Sequence, residues 1–109
     1  GVAYKKNIDD MRESPALAVW ELLEARGAVV EHHDPHVPLV PPTREHASLA
    51  GRRGVALDAG SIGAADLVLV ITDHAAVDSL VAETARLIVD TRNVMAPFAR
   101  SLGARLARA

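Results

Sequence analysis

The chain has 109 residues, half of them apolar and mostly Ala, Val and Leu, with one Phe, one Trp, one Tyr and no cysteine. That suits one domain with a single aliphatic core, small for a complete two-substrate enzyme, and it excludes disulfides, thiolate metal sites and a cysteine nucleophile within the chain. A net charge of −2 offers nothing to a nucleic-acid backbone or an anionic membrane, and no apolar run approaches the roughly 18–20 residues of a membrane span, so a soluble, cytoplasmic protein is expected.

Gly1-Val-Ala-Tyr4 opens as the tail of a short apolar strand. The first strand reads as truncated, and the chain as a fragment from the end of a larger polypeptide. Lys5 and Lys6 follow, then a turn with Asp9, Asp10 and Arg12. Ser14-Pro15 has the form of a helix start, with serine as N-cap and proline at the first helical position. Leu17, Trp20 and Leu23 recur at helical spacing, and Gly27 is a natural stop. Val29-Val30-Glu31-His32-His33 reads as a strand halted by Asp34-Pro35. Prolines 35, 38, 41 and 42 then make a stiff extended loop.

The segment from Thr43 to Ala65 is the least legible. Thr43 suits the cap of a short helix running to about Leu49, and residues 51–60 read as loop with a short strand at 55–57. Asp66-Leu-Val-Leu-Val-Ile71 is a continuous apolar run, typical of a strand buried on both faces. Thr72-Asp73-His74 follows as a loop, residues 75–85 as a helix, Arg86-Leu-Ile-Val89 as another buried strand closed by Asp90-Thr91-Arg92-Asn93, and residues 97–109 as a terminal helix. Strands alternating with helices predict an α/β fold: a Rossmann-like open parallel sheet with helices on both faces. Right-handed crossovers would align Lys5, Asp34, Asp73 and Arg92 along one edge, where ligands of such sheets sit.

Lys5 and Arg12 fit an anion-binding constellation, a point charge beside a bidentate fork. They equally fit surface pairing with Asp9, Asp10 and Glu13. Arg92 follows a buried strand and either reaches the same ligand or pairs with Asp90; spacing does not decide. Asp34 ends a strand, where a ribose-binding acid is placed in dinucleotide folds. No G-x-G-x-x-G precedes it, so an Asp-Pro turn is the simpler account, and no nicotinamide cofactor is expected wholly within this domain. His32, His33 and His36 suggest a metal site, but His32 and His33 alternate across a strand and cannot easily share one ion, and no cysteine is available to complete a set. Asp9, Asp10, Asp58 and Thr72 partly match a phospho-accepting receiver, but no lysine closes the set after the last strand.

The run from Gly1 to Leu17 closely resembles the opening of the C-terminal, UDP-binding domain of the UDP-glucose/GDP-mannose dehydrogenases. Gly27-Ala-Val-Val30 leading to Asp34-Pro35, Asp66-Leu-Val-Leu-Val70 with Thr72-Asp73-His74, and Ile88-Val-Asp-Thr-Arg-Asn93 continue the likeness in order. It is most similar to the branch acting on UDP-N-acetylhexosamines. The resemblance implies that residues 1–109 are the nucleotide-sugar-binding domain of an NAD-dependent nucleotide-sugar 6-dehydrogenase, which oxidises the sugar C6 hydroxymethyl to a carboxylate through a cysteine-bound thioester. It implies that Tyr4, Lys5 and Arg92 contact the UDP-sugar and that Arg12 reaches the NAD pyrophosphate. The partners it implies are an N-terminal NAD-binding domain, a central helical domain and a second subunit. No catalytic residue lies in this chain, so alone it should be inactive. The competing expectations are a receiver-like module and a free-standing nucleotide-binding regulator.

Overall fold

In the computed structural model the residues described are 15–42, 46–72 and 78–109. The predicted first helix forms as α1, Pro15–Ala25, and buries Ala16, Leu17 and Trp20. Gly27 ends it with φ +93°. The Gly27 N–H donates to Glu24 O at 3.0 Å and the Ala28 N–H to Leu23 O at 3.1 Å, the paired bonds of a Schellman stop, which needs a residue tolerant of the left-handed region. Ser14, the expected cap, and the expected truncated first strand lie outside the described residues.

Residues 29–33 join no ladder among the described residues, against the expectation of a strand. Val29 is 95% exposed. The Val55 N–H donates to His32 O at 2.8 Å, one cross-link where a ladder needs a series. Residues 55–57, expected as a short strand, likewise join no ladder among the described residues. The proline-rich segment is pinned instead by residues 51–54: Val40 N–H to Arg52 O at 2.9 Å, Gly51 N–H to Val40 O at 2.8 Å and Gly54 N–H to Pro38 O at 2.7 Å. Proline carbonyls can accept although their nitrogens cannot donate.

A 3-10 turn spans Ala47–Leu49, shorter than the helix expected there, and Thr43 lies outside the described residues. Helix α2, Ala59–Ala64, starts at the end of the stretch that reads as loop and runs into residues for which no element is expected. Its signal is a capping box: the Ser61 N–H donates to Asp58 Oδ1 at 2.8 Å and the Asp58 N–H to Ser61 Oγ at 3.2 Å.

The sheet is the Rossmann-like part. Strand β1 is Val68–Val70 and β2 is Ile88–Asp90, with α3, Asp78–Thr84, between them. Both were predicted, although β1 is half-buried rather than enclosed on both faces. The expected terminal helix is not what forms. A 3-10 turn at Ala96–Phe98 and a short α4, Ala99–Leu102, lead through a 3-10 turn at Gly103–Arg105 into strand β3, Leu106–Arg108. Gly103 breaks the helix at φ 55°, ψ −124°, a conformation that side chains rarely adopt. The three strands are parallel in the order β1-β2-β3, with Val68, Ile88 and Leu106 in register.

That register puts Val68, Val70, Ile88 and Leu106 into one apolar cluster with Ile62, Val81, Ala82, Ala85, Met95 and Leu102. Ile71, of opposite parity to Val68 and Val70, packs into a second cluster with α1, Val30, Val37, Val40 and Leu49. Carrying the alternation of β1 one residue past its end, Ile71 turns away from the face of Val68 and Val70, which places α1 on the other side of the sheet from α2 and α3. Gly103→Ala should cost about 1–3 kcal/mol, the range for a side chain forced into a disallowed backbone region. A thermal melt should show the midpoint falling by at least about 4 °C; an unchanged midpoint would show that the helix break does not depend on glycine.

Candidate functional site

Strand β2 ends in Asp90, only 2% exposed. A carboxylate so buried needs donors, and it has two from its own chain: the Arg92 N–H at 2.9 Å and the Met95 N–H at 2.8 Å. Asp90 thus folds residues 91–95 back beneath the strand end. The Thr91 hydroxyl and N–H both donate to Val70 O, at 2.7 and 3.1 Å, tying the turn to β1. Asn93 completes the bend at φ 59°, a value that asparagine accepts more readily than most residues.

This leaves Arg92 exposed at the lip of a crevice of about 460 Å³ lined by Asp90, Thr91, Arg92, Asn93, Arg108 and Ala109. The bland expectation that Arg92 pairs with Asp90 is not met. Backbone donors occupy that carboxylate, and the ion pairs among the described residues are Glu21–His46 and Glu24–Arg52. The crevice lies at the C-terminal ends of β2 and β3, where an open parallel sheet accepts ligands. Two exposed guanidinium groups there are suited to an anion with several oxygens.

Tyr4, Lys5 and Arg12 lie outside the described residues, as do Asp9, Asp10, Asp73 and His74. Asp34 is buried and accepts the His36 N–H at 2.8 Å through Oδ1, which fits a turn-forming aspartate. It does not line the crevice. Asp58 is the exposed cap of α2, and it follows no described strand as a receiver's acceptor would. Arg108 is not among the candidates the sequence singles out, because residues 97–109 read as helix. The available signal was Gly103 followed by the strand-like alternation Leu106-Ala107-Arg108.

His32 and His33 serve structure. His32 Nε2 donates to Val37 O at 3.0 Å and His33 Nδ1 to Val55 O at 2.9 Å, so the two rings take separate backbone acceptors. The buried His32 ring lies 5.1 Å from that of Trp20, and His32 Nδ1 and Trp20 Nε1 have no hydrogen-bond partner. Elsewhere on α1, Glu21 bonds His46 Nδ1 and accepts from Ser48 Oγ at 2.9 Å. Those two bonds hold the Glu21 carboxyl below the usual carboxylate range.

Burial pushes the His32 imidazole below its ordinary value, opposed by the bond to Val37 O. An unfolded histidine takes its proton near pH 6.5, while folded His32 resists it. The unfolded chain therefore binds more protons from about pH 6.5 down to the lowered folded value, and stability falls as pH drops through that window. Denaturant midpoints at about pH 7.5 and about pH 5.5 should show wild type losing more stability than His32→Phe. Parallel losses would contradict the assignment.

Fold and crevice put the chain in the Rossmann-like α/β class, whose ligands sit at strand C-termini. Sequence comparison narrows that class. A model of the UDP-glucose/GDP-mannose dehydrogenase family, UDP binding domain, matches residues 1–97, and the chain belongs to that family. An NDP-N-acetyl-D-galactosaminuronic acid dehydrogenase of Ralstonia nicotianae is 30% identical over 97 residues, 86% of this chain and 22% of that protein. A UDP-N-acetyl-D-mannosamine dehydrogenase of Methanococcus maripaludis is 36% identical over 74 residues, 68% of this chain and 15% of that protein. A UDP-glucose 6-dehydrogenase of Rhizobium meliloti is 51% identical over 35 residues, 32% of this chain and 8% of that protein. The chain thus matches about a fifth or less of the length of these relatives. No solved structure matches. Among the described residues, no helix is long and apolar enough to cross a membrane.

Proposed function

We propose that residues 1–109 form the C-terminal, UDP-sugar-binding domain of a cytoplasmic NAD-dependent nucleotide-sugar 6-dehydrogenase, one that makes uronic-acid precursors of polysaccharides. The observation that carries this reading is the arginine-lined crevice built by the Asp90 turn, in a chain whose family is named for UDP binding. Arg92 grips the diphosphate with charge-assisted bonds, and Tyr4 and Lys5 complete the nucleotide-sugar contacts. The names of the relatives favour a UDP-N-acetylhexosamine as the sugar nucleotide.

NAD, when bound, accepts the hydride. The sequence holds no G-x-G-x-x-G turn, so NAD is held mainly by an N-terminal domain, with Arg12 reaching its pyrophosphate. The nucleophilic cysteine also lies elsewhere, since this chain has none, and isolated residues 1–109 are inactive. The role of this domain is to hold the substrate, orient its C6 hydroxymethyl and exclude water as the cleft closes in a homodimeric enzyme.

The test is to express the full-length polypeptide carrying this chain and supply UDP-glucose or UDP-N-acetylhexosamines with NAD. Formation of NADH together with the uronic acid supports the reading. No NADH with any nucleotide sugar overturns it in favour of a non-catalytic module.

A further inference from the structure

The proposed function leaves Arg108 unassigned, and the family match ends at residue 97. Had residues 97–109 been helical, Arg108 would have no fixed relation to Arg92. As part of β3 it stands in register with Asp90, and the ladder continues through the Ala109 N–H to Asp90 O at 3.0 Å. Alternation places Arg108 on the face that carries Leu106, and Leu106 is packed into the core cluster. The strand end is therefore anchored by its apolar neighbour, and both arginines line one crevice.

Their electrostatics differ from those of the other arginines with assigned contacts. Arg52 forks onto Glu24 with two bonds of 3.2 Å, and Arg105 donates to Ala85 O at 2.9 Å. Arg92 and Arg108 have no ion pair among the described residues, and Asp90, the acidic side chain among the described residues lining the crevice, is committed to two backbone N–H groups. Arg108 ends β3 and Arg92 follows β2 by two residues, and neighbouring strands are about 4.8 Å apart, so the two cations share one strand-end edge where an anion between them would relieve their repulsion. A diphosphate has the charge and the oxygens to do so.

We propose that Arg108 is a second diphosphate-binding residue, clamping the UDP-sugar pyrophosphate from β3 while Arg92 holds it from the β2 turn. This rests on the UDP-sugar reading and extends it to a residue outside the matched region. Uridine, lacking phosphate, should be indifferent to Arg108.

The test is calorimetric titration of the full-length polypeptide with UDP, uridine and inorganic pyrophosphate, for wild type, Arg92→Ala, Arg108→Ala and Arg108→Lys. Thermal melts verify that each variant is folded. Arg108→Ala should weaken UDP and pyrophosphate about tenfold and leave uridine unchanged, with Arg108→Lys falling between. If Arg92→Ala weakens UDP and Arg108→Ala does not, the inference fails and the proposed function stands. If wild type ignores UDP but binds pyrophosphate in an Arg108-dependent way, the UDP reading fails and the anion clamp stands. Binding of neither overturns both.

Discussion

Arg92→Ala in the full-length enzyme should raise the KM for the UDP-sugar about 10- to 100-fold and leave kcat within a few-fold of wild type. The magnitude follows from losing hydrogen bonds between a guanidinium and an anion, worth about 1.5–3 kcal/mol, and a tenfold change is about 1.4 kcal/mol. The split follows from position. Arg92 lies at the strand-end crevice, and in the proposed role it would meet a phosphate equally in the ground and transition states; such uniform binding appears in KM. Arg92→Lys should recover part of the affinity, because an ammonium keeps the charge and loses the two-pronged geometry. Added salt should weaken wild type more than Arg92→Ala. Steady-state kinetics over a range of UDP-sugar concentrations check this, and an unchanged KM would remove Arg92 from the site.

Asp90→Ala should both destabilise the chain and loosen the turn that carries Arg92. It strips the acceptor from the Arg92 and Met95 N–H groups, and the Met95 donor belongs to a residue with no exposed surface. An orphaned buried donor costs about 1–3 kcal/mol, so the loss should be about 2–4 kcal/mol and the melting midpoint should fall by roughly 8 °C or more. UDP affinity should fall with it, since the turn that presents Arg92 loses its brace. Asp90→Asn, with one acceptor and an amide facing the second N–H, should fall between the two. Thermal unfolding and UDP titration report the two consequences separately. A variant as stable as wild type would mean that the Asp90 carboxylate does not hold the turn.

The elements legible in the sequence were those whose local chemistry agreed with their packing. Pro15, Gly27 and the Leu17–Trp20 spacing marked α1 at both ends. The apolar runs around Val68–Val70 and Ile88–Asp90 marked the central strands, because parallel strands have few polar interruptions. Residues 29–33 misled because β-branched composition signals a strand, whereas a ladder needs a partner in register. Helix α2 was hidden by Gly60 and Gly63, poor helix formers, while its capping box outweighed them. Strand β3 was hidden by Ala, Leu and Arg, which favour helix, until Gly103 ended that helix and the edge of β2 supplied hydrogen bonds.

Of the candidate site, Arg92 was legible from its place after a buried strand. Its partner Arg108 was not, because it depends on a strand that local propensity argues against. The Asp90 turn was half legible: Asp90 was named as a partner for the Arg92 side chain, whereas the structure has it bind the Arg92 backbone.

A crystal structure of the full-length polypeptide with UDP bound tests the account most directly. The diphosphate oxygens should lie within about 3 Å of the Arg92 guanidinium, in the crevice between the ends of β2 and β3. UDP seated away from residues 90–93, with Arg92 turned to solvent, would contradict it.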